Sequence, residues 1–229
     1  MGVPRSRSPV YVSPVPSRPH IWPAVAALAA LACGGSSAPA PAPAPVRPPP
    51  HEPVKPFPTT PFAGQSIAVT PFTLIVAVDS LARVPPLGDR ATSLAWADSI
   101  VGTTLSARGP EVKWVLPPEL RKIARRAPGI APDPDRMGQS LMREKSMETV
   151  PDPLRTNLRS LLALVGGRYA FIPAAPTFIP DSTGSVRAEL SLVLADTRTA
   201  KVLWRTLTWG IGATLSRALA AAMENALPV

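Results

Sequence analysis

A proline-rich tract, residues 34–65, divides this chain and limits what its parts can fold into. It reads GGSSAPAPAPAPVRPPPHEPVKPFPTTPFAGQ and contains few large apolar side chains. Such a segment cannot bury enough apolar surface to offset the entropy that is lost on folding. We therefore expect a disordered but extended tether, which spans tens of ångströms at about 3.1 Å per residue of polyproline II. The chain then divides into residues 1–32, 33–65 and 66–229.

The first segment has the order of an export signal. Arg5, Arg7 and Arg18 precede the apolar run IWPAVAALAALA at residues 21–32, and no acidic residue accompanies them. Positive charge, then an apolar run, then small residues is the pattern of a secretory signal peptide. The run is too short to span a bilayer, which takes about 20 residues. We expect residues 1–32 to be removed by cleavage between Ala32 and Cys33.

Cys33 is the only cysteine of the chain, and it stands directly after the apolar run. The sequence Ala30-Leu31-Ala32-Cys33 resembles the lipobox of bacterial lipoproteins. This resemblance implies that a diacylglycerol is attached to the Cys33 sulfur and that the mature chain begins there. Gly34 is not the aspartate that retains lipoproteins in the inner membrane of enterobacteria, so the resemblance implies an outer-membrane anchor with the domain facing the periplasm. Several acyl chains hold a protein stably on a membrane.

Strand and helix patterns alternate after residue 66. Alternating apolar residues or short β-rich runs predict strands at 66–72, 111–117, 169–179, 186–194 and 201–209, and residues 74–78 fit a strand extension. Apolar residues at helical spacing predict helices at 91–108, 118–127, 135–145 and 215–226, and a further helix capped by Asp152 with Pro153 at its first position. The prolines at 173 and 176 indicate a strand that is bent or near an edge. This order predicts an α/β fold, a two-layer or three-layer sandwich of a mixed sheet with flanking helices.

Several motifs of the folded part resemble a group of bacterial envelope domains. They are IAVTPF, VKWVLPPEL, VGGRYAFIP and RAELSLVLADTRTAKVLWRTLTWG. The group comprises the amino-terminal domain of the Tol-Pal propeller protein, the curli-secretion lipoprotein and the lipoprotein activators of peptidoglycan synthases. The matching positions are Leu192, Leu194, Asp196, Val202, Trp204 and Gly210. Thr199-Ala200 stands where the group usually has a turn glycine. The resemblance extends over residues 66–227 and implies the fold more than any one activity.

The folded part offers little for catalysis. Both histidines and the cysteine precede residue 66, which excludes histidine acid–base chemistry, thiol chemistry and the usual zinc sites there. No glycine-rich phosphate loop occurs. Asp133 with Asp135, and Asp196, remain candidates for paired acid–base work or for calcium. Solvated turns explain the first two more simply, and Asp196 suits a cap of its own hairpin turn. We expect no enzyme, cofactor or metal site.

Positive charge is the main surface feature. The chain has a formal charge of +9, and a basic segment places Arg121, Lys122, Arg125 and Arg126 on one predicted helix. These side chains are candidates for contact with an anionic surface or an acidic partner; the alternative is a solvated face above a core stripe. Trp209 follows Arg205 and Leu207 in alternation and is a further contact candidate. Trp114 and Trp204 are expected in the core.

These observations favour a non-catalytic envelope lipoprotein. Its tethered periplasmic domain would bind a partner protein or a cell-wall polymer, while the anchor binds the membrane. Nucleic acid is not expected as a partner of an exported protein. Two alternatives stay open, a subunit of an outer-membrane secretion or assembly complex and a cell-wall-active enzyme.

Overall fold

The computed structural model describes residues 53–227, so the predicted signal peptide, Cys33 and most of the tether lie outside the described residues. Six strands form one mixed sheet in the order β3-β1-β4-β5-β6, and β2 also pairs with β4. β1 is parallel to β3 and β4, whereas β4, β5 and β6 are antiparallel. The strands are β1 Ser66–Val69, β2 Val76–Ala77, β3 Lys113–Val115, β4 Tyr169–Pro180, β5 Val186–Asp196 and β6 Val202–Gly212.

Helices cover both faces of this sheet, so the α/β prediction is confirmed in its three-layer form. The helices are α1 Asp79–Ala82, α2 Arg90–Arg108, α3 Pro117–Arg126, α4 Leu154–Val165 and α5 Leu215–Ala226. Buried side chains of α2 and α5 form one core cluster with one side of the sheet. Buried side chains of α3 and α4 form a second cluster with the other side. Short 3-10 turns occur at Thr60–Phe62, Pro134–Arg136 and Gln139–Arg143.

Two of the apolar helical patterns, those of α2 and α5, fold as predicted. α2 begins after Asp89, whose carboxylate accepts a hydrogen bond from the backbone N–H of Thr92 at 2.8 Å. α5 begins after Thr214, whose hydroxyl accepts from the N–H of Arg217 at 3.2 Å. Both side-chain caps satisfy N–H groups that have no partner within the helix.

α4 begins differently from the prediction. It starts at Leu154, with Pro153 rather than Asp152 at the cap position and no side-chain cap bond. The Asp152 carboxylate instead accepts a hydrogen bond from the hydroxyl of Thr156 at 2.9 Å. The helix ends at Val165, and Gly166 follows it with φ of 73°, a conformation that glycine adopts readily at a helix C-terminus.

β4 is bent, but it is not an edge strand. It lies between β1 and β5 in the sheet, and its register with β5 shifts between Ala174 and Thr177. On its other side, β1 pairs with residues 169–171 and β2 with residues 177–178. Pro173 and Pro176 fall between these two short partners, where the ladder does not require their missing N–H groups.

Alternation along β5 predicts one buried side and one exposed side, but part of the predicted exposed side is buried. Arg187 and Glu189 are partly exposed, but Ser191 and Val193 are buried. The Gln139–Arg143 turn covers this part of the strand, and the Ser191 hydroxyl donates to the carbonyl oxygen of Met142 at 3.4 Å. Residues 135–145, predicted as a helix, therefore form two 3-10 turns that close the second core.

The folded domain begins before residue 66. Phe57 is 4% exposed, and its ring lies 5.0 Å from that of Trp204 and 5.5 Å from that of Phe171. Its backbone N–H donates to the carbonyl oxygen of Ala226 at 2.8 Å. Residues 53–65 are therefore part of the domain rather than part of an extended tether, because one aromatic side chain in this stretch fills the core.

α5 lies directly on β6. A Cβ atom built on Gly210 would come within 2.6 Å of the carbonyl oxygen of Ala218, and one built on Gly212 within 2.5 Å of the backbone nitrogen of the same residue. Only hydrogen atoms at these two positions of β6 allow the helix backbone to approach so closely.

Candidate functional site

Arg121 on α3 is held by two carboxylates. Its Nη2 atom lies 2.7 Å from Asp98 Oδ2 and 2.7 Å from Asp135 Oδ1, and its Nε donates to Asp135 Oδ2 at 2.9 Å. The side chain is 23% exposed. Arg121 is therefore a structural residue within the domain, unlike its three basic neighbours on the same helix.

Asp98 is the buried partner in this cluster. It is 5% exposed, and its Oδ1 accepts a hydrogen bond from the backbone N–H of Phe72, just beyond the end of β1, at 2.8 Å. Burial raises the pKa of Asp98 from 3.8 to about 6, although the bonds from Phe72 and Arg121 act in the opposite direction. The sequence signal for this residue is an acid beside Ala97, in the apolar stripe of α2, which the motifs above do not include.

A groove of about 660 Å³ opens beside this cluster, between α2 and the start of α3. Small side chains of α2, including Ser99 and Thr103, form one wall, and Pro117 and Pro118 form the other. Both oxygens of the Asp98 carboxylate already accept hydrogen bonds from the protein. The cluster therefore holds the groove's walls together and offers no unbound acid or base.

The other candidate carboxylates also have structural roles. Asp133 caps the Pro134–Arg136 turn by accepting from the N–H of Asp135 at 3.0 Å, and Asp135 binds Arg121. Among residues 53–227, no group of three histidine, cysteine, aspartate or glutamate side chains could hold a metal ion. Asp133 and Asp135 therefore stabilise the loop that contains them, and this structural role explains the presence of both carboxylates.

Asp196 caps its own hairpin turn, as predicted. It is buried, and its Oδ1 accepts from the N–H of Arg198 at 2.9 Å. Its Oδ2 accepts from Nη2 of Arg168 at 2.5 Å. The Arg168 guanidinium holds the pKa of this carboxyl well below its usual range, because the hydrogen bond favours the ionised form.

The remaining cations of α3 face the solvent. Lys122, Arg125 and Arg126 are exposed, and none of them forms an ion pair with any residue in the described part of the chain. α4 packs beside α3, contributes Arg155 and Arg159, and carries no acid.

Charge is therefore distributed unequally between the two helical layers. α3 and α4 together have a net charge of +5, whereas α2 and α5 on the opposite face have +1. We name the solvent-exposed side of α3 and α4 the basic face. Its defining residues are Lys122, Arg125, Arg126 and Arg159, which are all exposed.

Exposed apolar side chains accompany these cations. Ile130 follows α3 within four residues of Arg126, and its side chain is 70% exposed. Gly129 precedes it with φ of 80°, so the chain turns sharply there. Leu164 near the end of α4 is also exposed. Exposed apolar side chains therefore occur in α4 and just after α3, the two helices that carry the basic face.

Trp209 does not lie with the basic residues. It belongs to β6, at the end of the sheet opposite β3, and is partly buried. The Arg187 guanidinium lies 4.9 Å from the centre of its ring, and Asn225 Nδ2 donates to its carbonyl oxygen at 2.8 Å. Trp204 is buried as expected, and Trp114 is partly buried against the same core.

No protein-family model matches the chain, and no curated protein matches it. Solved structures that are similar include the PelC dodecamer of Paraburkholderia phytofirmans (14% identity, 76% of this chain and 91% of that chain, TM-score 0.35). The LpoB C-terminal domain of Salmonella enterica is also similar, with 13% identity over 64% of this chain and 82% of that chain and a TM-score of 0.37. Lipoprotein GNA1162 of Neisseria meningitidis has 14% identity over 65% of this chain and 81% of that chain, with a TM-score of 0.30. These neighbours match the group that the sequence motifs resemble. At TM-scores this low, no function follows from them.

Within residues 53–227, none of the helices combines the length and the apolar character needed to cross a membrane.

Proposed function

We propose that this chain is a non-catalytic envelope lipoprotein whose tethered domain binds an acidic surface of a partner protein. The observation that carries the proposal is the basic face, where three neighbouring cations of α3 are exposed without an ion-pair partner among the described residues. An isolated positive surface of this kind attracts acidic partners and fixes their orientation.

The apolar residues of the basic face favour a protein over a cell-wall polymer as the partner. Protein interfaces combine arginine and apolar side chains at their centres. Ile130, four residues after Arg126, and Leu164, near the end of α4, supply such side chains. A contact with a charged polymer would not require this exposed apolar surface.

The carboxylates support a binding role rather than an enzymatic one. Asp98, Asp133, Asp135 and Asp196 all accept hydrogen bonds that hold elements of the fold together. Residues 53–227 also contain no histidine or cysteine.

The anchor is proposed from the sequence alone. Cys33 follows a lipobox-like stretch and would carry the acyl groups, while Pro-rich residues 34–52 would link it to the domain. The intact mass of the membrane-extracted protein tests this directly. A mass without residues 1–32 and with acyl groups, lost in a Cys33→Ser variant, is expected. An unprocessed protein in the soluble fraction would contradict the anchor.

Site-specific photo-crosslinking in cells tests the partner. In one variant a photoreactive residue replaces Glu119, which is exposed on α3. In a second variant it replaces Ser182 in the β4–β5 turn. We expect one envelope protein to be crosslinked from position 119 and not from position 182.

Charge reversal provides the matched comparison. The double variant Arg125→Glu and Arg126→Glu is expected to abolish the crosslink. The variant Arg83→Glu and Lys113→Glu changes the net charge equally at exposed positions outside α3 and α4 and should preserve it. A crosslink to peptidoglycan instead of protein would identify a cell-wall ligand, and equal crosslinking in both double variants would exclude the basic face.

A further inference from the structure

A second cationic surface lies where the tether joins the domain. It is a groove of about 510 Å³ between β6 and residues 145–149. Lys55, Lys145, Lys201 and Arg205 line it, and Glu148 is the one acid among the described residues of its walls. We name it the tether groove. It lies at the β6 end of the sheet, whereas α3 follows β3 at the other end.

Arg205 fixes one wall of the tether groove. Its Nη1 donates to the carbonyl oxygens of Met142 at 2.7 Å and Glu144 at 2.9 Å, and its Nη2 donates to that of Met147 at 3.0 Å. The N–H of Val202 donates to the carbonyl oxygen of Glu148 at 2.9 Å. These bonds attach the 142–149 segment to β6, so the groove is part of the folded structure.

Two lysines hold their positions on this wall through the backbone. The N–H of Lys55 donates to the hydroxyl of Thr206 on β6 at 2.9 Å, and Phe57 beyond it is buried in the core. Lys201 directly precedes β6, and its carbonyl oxygen accepts from the N–H of Asp196 at 2.9 Å. Both lysine side chains are exposed and form no ion pair with a residue of the described range.

Apolar surface adjoins these ammonium groups. Leu203 lines the groove with 47% of its surface exposed, and the partly buried Met147 lies on the opposite wall. Lysine beside exposed leucine suits the boundary between phosphate headgroups and acyl chains, where cationic and apolar contacts act together.

We propose that the tether groove binds the phosphate headgroups of anionic lipids in the membrane that holds the anchor. Lys55 lines the groove, and only residues 34–54 separate it from Cys33 in the sequence. A lipid anchor at Cys33 therefore keeps the membrane surface within reach of Lys55 and Lys201. This inference rests on the proposed anchor, and it leaves the basic face available to the protein partner.

Vesicle co-sedimentation tests the proposal with the full chain carrying Cys33→Ser, so that binding does not depend on acylation. The probes are vesicles of phosphatidylcholine alone and vesicles that also contain phosphatidylglycerol. We expect stronger binding to the second kind. Lys55→Gln and Lys201→Gln should each weaken that binding about fivefold, and together about 25-fold, since each lysine near an anionic surface contributes about this factor. Lys113→Gln, at the opposite edge of the sheet, is the matched control and should bind like the parent.

Three results would overturn the proposal. One is equal binding to both kinds of vesicle, and another is an equal effect of the Lys113 and the Lys55/Lys201 variants. The third is displacement from vesicles by inorganic phosphate at constant ionic strength, which would assign the groove to a free phosphate. Because the assay uses an unacylated chain, failure here is distinct from failure of the anchor, which the intact mass of the native protein reports.

Discussion

The Arg121 guanidinium donates to the buried Asp98 carboxylate at 2.7 Å and thereby joins α3 on one face of the sheet to α2 on the other. The same carboxylate accepts from the N–H of Phe72 beyond β1. One pair of side chains thus connects both helical layers and the segment that follows β1.

Removing Arg121 should therefore destabilise the domain. We expect Arg121→Ala to lower the free energy of unfolding by about 3 kcal/mol near neutral pH, because it leaves a buried carboxylate without its cation. Arg125→Ala on the exposed side of the same helix should change it by less than about 0.5 kcal/mol. Urea unfolding followed by circular dichroism measures both. Equal effects would show that the pair adds nothing to stability.

Asp98 should also make stability depend on pH. Its folded-state pKa of about 6 lies above its ordinary value of 3.8, so the folded protein binds more protons than the unfolded chain between these values. The free energy of unfolding should therefore fall as the pH rises from about 3.8 to about 6, through this group's contribution. Asp98→Asn should remove that contribution. Urea midpoints measured over this range should differ in slope between parent and variant, and parallel curves would contradict the assignment.

Phe57 provides a test of the domain boundary. We expect Phe57→Ala to lower the free energy of unfolding by about 3–4 kcal/mol, since it leaves a cavity among Trp204, Phe171 and Trp114. Pro58→Ala at the neighbouring exposed position should have little effect. Thermal and urea unfolding of both variants would show whether the folded domain includes Phe57. A Phe57 variant as stable as the Pro58 variant would restore the boundary at residue 66.

Gly210 should tolerate no side chain. Gly210→Ala places a methyl group against the backbone of α5, and because a helix backbone cannot shift as a side chain can, we expect a loss of about 3 kcal/mol or a failure to fold. Gly88→Ala is the control, since a Cβ there meets no atom within 4 Å. Soluble yield and melting temperature of the two variants check this. An unchanged melting temperature for Gly210→Ala would mean that α5 does not lie so close to β6.

Local sequence patterns predict α2 and α5 well, because apolar residues at helical spacing mark both helices within a few neighbouring residues. The same kind of pattern at residues 135–145 is wrong, since that segment forms 3-10 turns. Phe57 gives no such signal. It stands in a proline-rich stretch with no apolar period, and its contacts with Trp204 and Phe171 arise only when distant strands assemble.

The contacts of the basic segment at the candidate site likewise cannot be predicted from the local sequence. Its four cations are equivalent as a pattern, yet Arg121 is neutralised by Asp98 and Asp135, which lie 23 and 14 residues away on other elements. The tether groove also cannot be predicted from the sequence, because Lys55 and Lys201 line one groove only when the amino-terminal segment packs along β6.

The hydrogen bond from Phe57 to Ala226 places the two ends of the described domain side by side. A force applied through the proline-rich segment would act first on a junction that contains the end of α5 and the aromatic core, rather than on a loose terminal strand. The junction should therefore bear mechanical load. For the same reason the domain should accept circular permutation, since a short linker could join residues 53 and 227 while new ends open in an exposed turn such as residues 181–185.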